Sequence, residues 1–268
     1  MINQVSKAIF LLLVTIFAVA GCEQRHKEVV AVPLYEHLLD PNFVIPDYAS
    51  GAIEATGGKQ AWAKVKKLEF DCVVTFYQPD DSFYLTEHHY EIHPWTNSIR
   101  ITAREPLNKF VWQLSEGQFS MLEADKQNDI SPVAGFYRDF AETILNIITA
   151  PIRFLDEKTT FTKLQSIVKR EGFWYQPIQW TIRNSDTAVS PEHSKQYWSG
   201  VIFYQNKENS LVDTILFADS VENKFLAVRG YDYTEVDKKG VRVPTKIEVF
   251  KTDAQGSFQQ LLAEINFK

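Results

Sequence analysis

From Leu68 onward, apolar and polar residues alternate along the chain with a period of two. Leu68, Phe70, Cys72, Val74 and Phe76 fall on one face of a strand predicted over Leu68–Gln78. Pro79-Asp80-Asp81-Ser82 supplies a turn, and Ser82–His93 returns as a second strand. Ser98–Arg104, Lys109–Leu114 and Gln118–Leu122 continue the pattern, with turn signals at Glu105-Pro106 and Glu116-Gly117. Short turns between alternating runs predict a hairpin meander. Strands resume over Thr160–Lys169, Phe173–Arg183, Tyr197–Gln205, Thr214–Ser220, Phe225–Glu235, Val241–Lys251 and Ser257–Phe267.

Two stretches follow a helical period instead. After Pro46-Asp47, with Asp47 as N-cap, Ala49, Ala52, Ile53 and Thr56 share one face, and Gly57-Gly58 ends the helix. A short turn of helix carrying Trp62 follows. The second stretch, Gly135–Ala150, places Phe136, Phe140, Ile144, Ile147 and Ile148 at helical spacing, with Arg138, Asp139, Glu142 and Asn146 elsewhere on the wheel. Pro151 is expected to disrupt its end. The pattern predicts a mainly β (α+β) chain, residues 47–268 forming one domain of antiparallel strands with an N-terminal helix pair and one inserted helix.

The N-terminus follows neither period. Lys7 precedes an apolar run from Ala8 to Ala20, which is too short to span a bilayer comfortably and has the plan of a signal peptide. Val19-Ala20-Gly21-Cys22 resembles a bacterial lipobox. The resemblance implies cleavage before Cys22, acylation of its thiol (palmitate or a similar chain) and anchoring to the membrane by lipid. Residues 1–21 are then the leader, and residues 22–46 the lipidated N-terminus and tether. Glu23 follows the cysteine where an aspartate would signal retention at the inner membrane. A Gram-negative host would therefore hold the protein on the periplasmic face of the outer membrane.

Charge and cysteine content narrow the field. Lys7 is the only charged residue of the leader, so its removal takes the net charge from −6 to −7. No basic block stands out, and nucleic acid is not an expected partner. With Cys22 acylated, Cys72 stands alone on the apolar face of the first strand and no internal disulfide can form.

Ala52-Ile53-Glu54-Ala55-Thr56-Gly57-Gly58, then Trp62, then Val65-Lys66-Lys67-Leu68-Glu69-Phe70 resembles the opening of a family of bacterial lipoproteins similar to the periplasmic carrier LolA and its outer-membrane receptor LolB. Ile152-Arg153-Phe154-Leu155-Asp156 after Pro151 resembles the exit of that family's lid helix. Gly240-Val241-Arg242-Val243-Pro244-Thr245-Lys246-Ile247 resembles its penultimate strand. The resemblance implies an incomplete antiparallel barrel, a highly curved sheet whose concave side is plugged by helices.

Candidate chemistry is sparse. Glu87, His89, Glu91 and His93 share one strand face, with alternate residues about 6.6 Å apart. His89 with Glu91 or His93 is a weak candidate for metal, and a solvated strand face of mixed charge accounts better for the pattern. Glu54-Ala55-Thr56-Gly57-Gly58-Lys59-Gln60 lacks the leading glycine and the Ser or Thr of a phosphate-binding loop. Neither Gly-x-Ser-x-Gly nor His-Glu-x-x-His is present. No cofactor is implied, and no enzymatic activity is expected.

Aromatic residues make up 13% of the chain. On a half-barrel, Phe70, Phe76, Trp112 and Trp180 would face the helix residues Phe136, Phe140, Ile144 and Ile147, either as packed core or as the lining of a hydrophobic cavity. Three functions compete: a lipid-anchored protein that holds an acyl chain or another lipoprotein's lipid, a non-catalytic scaffold lipoprotein binding an envelope protein, and an enzyme acting on envelope lipid or glycan. A cavity favours the first and a filled core the second.

Overall fold

The computed structural model describes residues 38–40, 42–104, 109–115, 117–124, 134–156, 159–182, 198–219, 222–236 and 240–268. All of them belong to one compact unit, Leu34–Lys268. The leader and Cys22 lie outside the described residues. Packing begins ahead of Asp47: Leu38 is buried, and Phe43 and Ile45 pack against the core.

Helices α1 (Asp47–Ala55) and α2 (Lys59–Lys64) precede the sheet. Pro46 caps α1, so Asp47 opens the first turn instead of capping it. Five strands follow: β1 (Leu68–Tyr77), β2 (Phe83–His93), β3 (Ser98–Arg104), β4 (Lys109–Ser115) and β5 (Gln118–Ala124). After α3 (Ala134–Arg153) come β6 (Thr159–Lys163), β7 (Val168–Arg170), β8 (Phe173–Ile182), β9 (Gly200–Asn206), β10 (Val212–Asp219), β11 (Lys224–Val236), β12 (Val241–Thr252) and β13 (Phe258–Phe267).

The thirteen strands form one sheet in the order β5-β4-β3-β2-β1-β13-β12-β11-β10-β9-β8-β6, with β7 also on β8. Each pairing is antiparallel. The sheet is open, because β5 and β6 end the order without pairing each other. The fold is mainly β, one open antiparallel sheet with few helices, as the strand pattern implies.

This order fixes the place of α3. The chain meanders outward from β1 to β5 at one edge, then must reach β6 at the other. The 20 residues of α3, about 30 Å of helix, span the sheet's inner face between those edges. It packs against β3 and β4 on one side and β10, β11 and β12 on the other. Among the described residues no helix is long and apolar enough to cross a membrane.

Two expected boundaries are corrected. Pro151 does not end the inserted helix, which runs on to Arg153. Pro151 forgoes the hydrogen bond to the Ile147 carbonyl and crowds it, but its fixed φ is helical and the cost falls on the last turn alone. The stretch Thr160–Lys169 is two strands, not one. Pro177 of β8 lies beside the break and has no N–H to donate across the ladder, while its carbonyl accepts from Leu164 N at 3.0 Å. The ladder from β6 therefore stops at Lys163 opposite Ile178 and restarts as β7 at Val168 opposite Tyr175.

Candidate functional site

The first turns of α3 meet the β1–β2 hairpin and β4 in a cluster of aromatic rings. Alternation along β1 and β2 turns Phe76, Tyr84 and His88 inward, and β4 contributes Trp112 from the same face. Phe76 has ring centroids of Tyr84, Phe140, Phe136 and His88 at 5.2, 5.3, 5.8 and 6.0 Å. Trp112 packs on Tyr137 at 4.8 Å and edge-on to His88 at 5.7 Å. The inner members Phe76, His88, Trp112 and Phe140 are buried. The outer ones are open: Tyr84 and Tyr137 are half-buried, and Phe136 is 37% exposed. The result is an aromatic mouth, part-exposed at its rim and buried at its floor.

Polar atoms on the floor are few. Burial holds the His88 imidazole far below its usual range, at about 3, so the ring is neutral. Its Nδ1 lies 3.3 Å from the Tyr90 hydroxyl. Trp112 is fully buried, and its Nε1–H has no hydrogen-bond partner. Such an orphan costs about 1–3 kcal/mol unless water or a ligand satisfies it. Trp180 Nε1 and Asn146 Oδ1 are further orphans inside the sheet. Trp180 sits toward the other end of α3, where the Arg153 guanidinium lies 5.6 Å from its ring centroid.

Of the residues singled out from the sequence, the structure brings Phe76, Trp112, Phe136 and Phe140 together at the mouth. Ile144 and Ile147 are fully buried along the middle of α3. Phe70 is buried against Phe267 with stacked rings at 4.6 Å, and Trp180 is remote from the mouth. His89, Glu91 and His93 lie on the outer face. His89 Nδ1 pairs with Asp71 and His93 Nε2 with Glu91, each at 2.9 Å. Among the described residues no three potential metal ligands come together. Cys72 is buried, and desolvation pushes its thiol up to about 12, which leaves no reactive thiolate.

The helical wheel does not foretell the polar side of α3. That side is also covered: Asp139, Thr143, Asn146 and Thr149 are buried. Asp139 pairs with Lys224, whose ammonium lies 5.5 Å from the Trp198 ring centroid. Burial raises the carboxyl of Glu142 to about 7, against the opposing pull of Arg138 and a hydrogen bond from Trp198. The folded state then binds a proton that the unfolded chain releases near pH 4.5. Stability is greatest below that pH and falls as pH rises toward 7. Glu142→Gln should remove this dependence. Between pH 5 and 8 the wild type should lose about 2 kcal/mol more than the variant in urea titrations. Equal losses in both would show that Glu142 ionises in the folded protein as it does in water.

A concavity of about 300 Å³ lies between the β7–β8 hairpin and the β12–β13 turn, lined by Arg170, Tyr175, Thr214, Arg229 and Ser257 among others. Its cations are engaged. Arg170 donates to the carbonyls of Gly256 and Gln255 at 2.9 and 3.2 Å, and Arg229 pairs with Glu171. These bonds tie the hairpin to the sheet.

Neither a protein-family model nor a curated protein matches this chain. Solved structures do resemble it. One is a LolA superfamily protein from Nitrosomonas europaea, with 12% identity and a TM-score of 0.47 over 84% of this chain and 92% of the other. A second is a DUF1329 family protein from Desulfovibrio piger, with 9% identity and a TM-score of 0.46 over 84% and 91%.

Proposed function

We propose that this chain is a lipid-anchored envelope protein that binds the acyl part of a lipid or of another lipoprotein at the aromatic mouth of its curved sheet. The observation that carries this reading is the mouth itself. Phe136, Tyr137 and Tyr84 leave apolar surface exposed above a buried aromatic floor. A large apolar side chain held exposed on the first turn of the buried helix stabilises little by itself, whereas a cluster of part-exposed apolar rings suits a hydrocarbon chain. The leader and Cys22 support placement in the envelope, with Glu23 favouring the periplasmic face of an outer membrane. Attachment would come from the lipid, because the chain is acidic overall and its sequence has no basic block for anionic headgroups. No catalytic role is proposed.

The scaffold reading draws on a different observation. Ile144, Ile147, Phe203 and Ile215 are fully buried, so the middle of the sheet's inner face is filled. The two readings separate on Phe136. N-phenyl-1-naphthylamine, an apolar dye that fluoresces on leaving water, should bind the purified protein at micromolar concentration, and palmitoyl lipids should displace it. Phe136→Ala should weaken dye binding about fivefold or more while costing only about 1 kcal/mol of stability, because the ring is already part-exposed. A wild type that binds no dye at micromolar concentration would sink the acyl reading and favour the scaffold.

A further inference from the structure

The concavity between the β7–β8 hairpin and the β12–β13 turn lies on the sheet's outer face. Val228 and Ile215 belong to the core, so the neighbouring Arg229 and Thr214, which line the concavity, face the other way. Its volume of about 300 Å³ is at the small end of ligand sites. Two guanidiniums line it, each beside a tyrosine ring. Arg170 lies 4.6 Å from the Tyr204 centroid, and Arg229 lies 4.8 Å from that of Tyr231.

The two charges are met unequally. Arg170 donates to the carbonyls of Gly256 and Gln255, which orient the guanidinium but leave its charge, and among the described residues no carboxylate pairs with it. Arg229 is paired with Glu171, whose side chain is 48% exposed, so water and salt compete for the pair. Glu171 also stands in the two-residue turn of the β7–β8 hairpin at φ +48°, a left-handed conformation that asparagine or glycine adopts more readily. The turn's shape does not call for glutamate, but the side chain sets a displaceable carboxylate on Arg229. The hydroxyls of Tyr175 and Thr214 donate to Asp213 at 3.3 and 3.1 Å, which leaves anion recognition to the arginines.

The geometry points to a binding site for a small, doubly charged oxyanion of the dicarboxylate or phosphate monoester class. Its oxygens take the fork of Arg229 in place of Glu171, and Arg170 supplies the second positive charge. Glu171 is then an internal competitor that turns away weakly held anions such as chloride. The site is independent of acyl binding at the mouth.

Titration calorimetry of the purified protein at constant ionic strength in chloride, with succinate and inorganic phosphate as probes, tests this. At least one probe should bind the wild type with millimolar or tighter affinity, and whichever binds assigns the anion class. Glu171→Gln removes the competitor and should tighten that binding about fivefold, the worth of an exposed ion pair. Glu171→Gln combined with Arg229→Gln removes the seat without leaving an unpaired charge, and should abolish binding. If the double variant folds poorly, the Arg229 Nε–H resonance of ¹⁵N-labelled wild type gives a second measurement, shifting with the probe and not with added chloride. If the ion pair serves only to tie down the hairpin, Glu171→Gln should be less stable and give no heat with either anion. Absence of binding by both probes at about 10 mM in wild type and Glu171→Gln, or equal affinity in the two, overturns the inference.

Discussion

Ile144→Asp should leave the chain largely unfolded at neutral pH. Ile144 is 0% exposed at the midpoint of the only helix that crosses the inner face of the sheet among the described residues, with Phe140, Ile147 and Ile148 around it in the core. The substitution removes about 1.5–3 kcal/mol of apolar burial and places a carboxyl where the neighbouring side chains in contact are hydrocarbon. Ionised, that group costs several kcal/mol more; protonated, it still lacks a partner. A total of about 5 kcal/mol or more matches the whole stability of many domains. Ile144→Val, which keeps the shape and loses one methyl, should cost about 1 kcal/mol. Urea titrations of the two variants at pH 5 and pH 8 give the measurement. The aspartate variant should be less unstable at pH 5, where the buried carboxyl takes up a proton. A loss under about 2 kcal/mol at pH 8 would mean that water reaches Ile144. The ligand cavity would then extend along α3 beyond the mouth.

How much of this was legible before the structure depends on the range of the forces involved. Alternation is local, and it placed β3 at Ser98–Arg104 and turned His88, Tyr90 and Ile92 to the face opposite His89, Glu91 and His93. The apolar stripe of α3 was legible for the same reason. The covering of its other side was not. A wheel reports which residues share a face, but whether a polar face meets water depends on strands far away in sequence. Here Trp198 and Lys224 reach Asp139 and Glu142 because the helix must travel between the two edges of the sheet. The break between β6 and β7 was hidden likewise, since its cause, Pro177, lies on the partner strand. The mouth was half legible. Phe76, Trp112, Phe136 and Phe140 are legible as inward-facing aromatics, but spacing alone does not show that they meet at one end of the helix while Trp180 lies at the other.

Gly57→Ala should be the most damaging of the single-methyl additions considered, for a reason that joins two distant motifs. The Ala-Thr-Gly-Gly run after α1 and the Gly-Val-Arg-Val-Pro run opening β12 are 183 residues apart at Gly57 and Gly240, yet they touch. Arg242 N donates to Thr56 O at 2.9 Å, and Trp62 Nε1 donates to Thr56 Oγ1 at 3.0 Å. Gly57 has φ +116°, a conformation that side chains rarely adopt, and a Cβ there would lie 1.9 Å from the carbonyl oxygen of Gly240. That atom is backbone, so no rotamer change relieves the clash. The α1–α2 corner must move off the β11–β12 turn, loosening the buried Trp62. Strained φ and displaced backbone together should cost about 3 kcal/mol. Gly117→Ala is the matched control. Its φ is +77°, but nothing lies within 4 Å of the added methyl, so only the conformational cost of about 1 kcal/mol remains. Thermal unfolding of both variants decides it. Equal losses would show that the corner yields without strain and that the Gly-Gly run is needed for its turn alone. A Gly57→Ala deficit about three times that of Gly117→Ala would show that these glycines hold the first helices against the sheet.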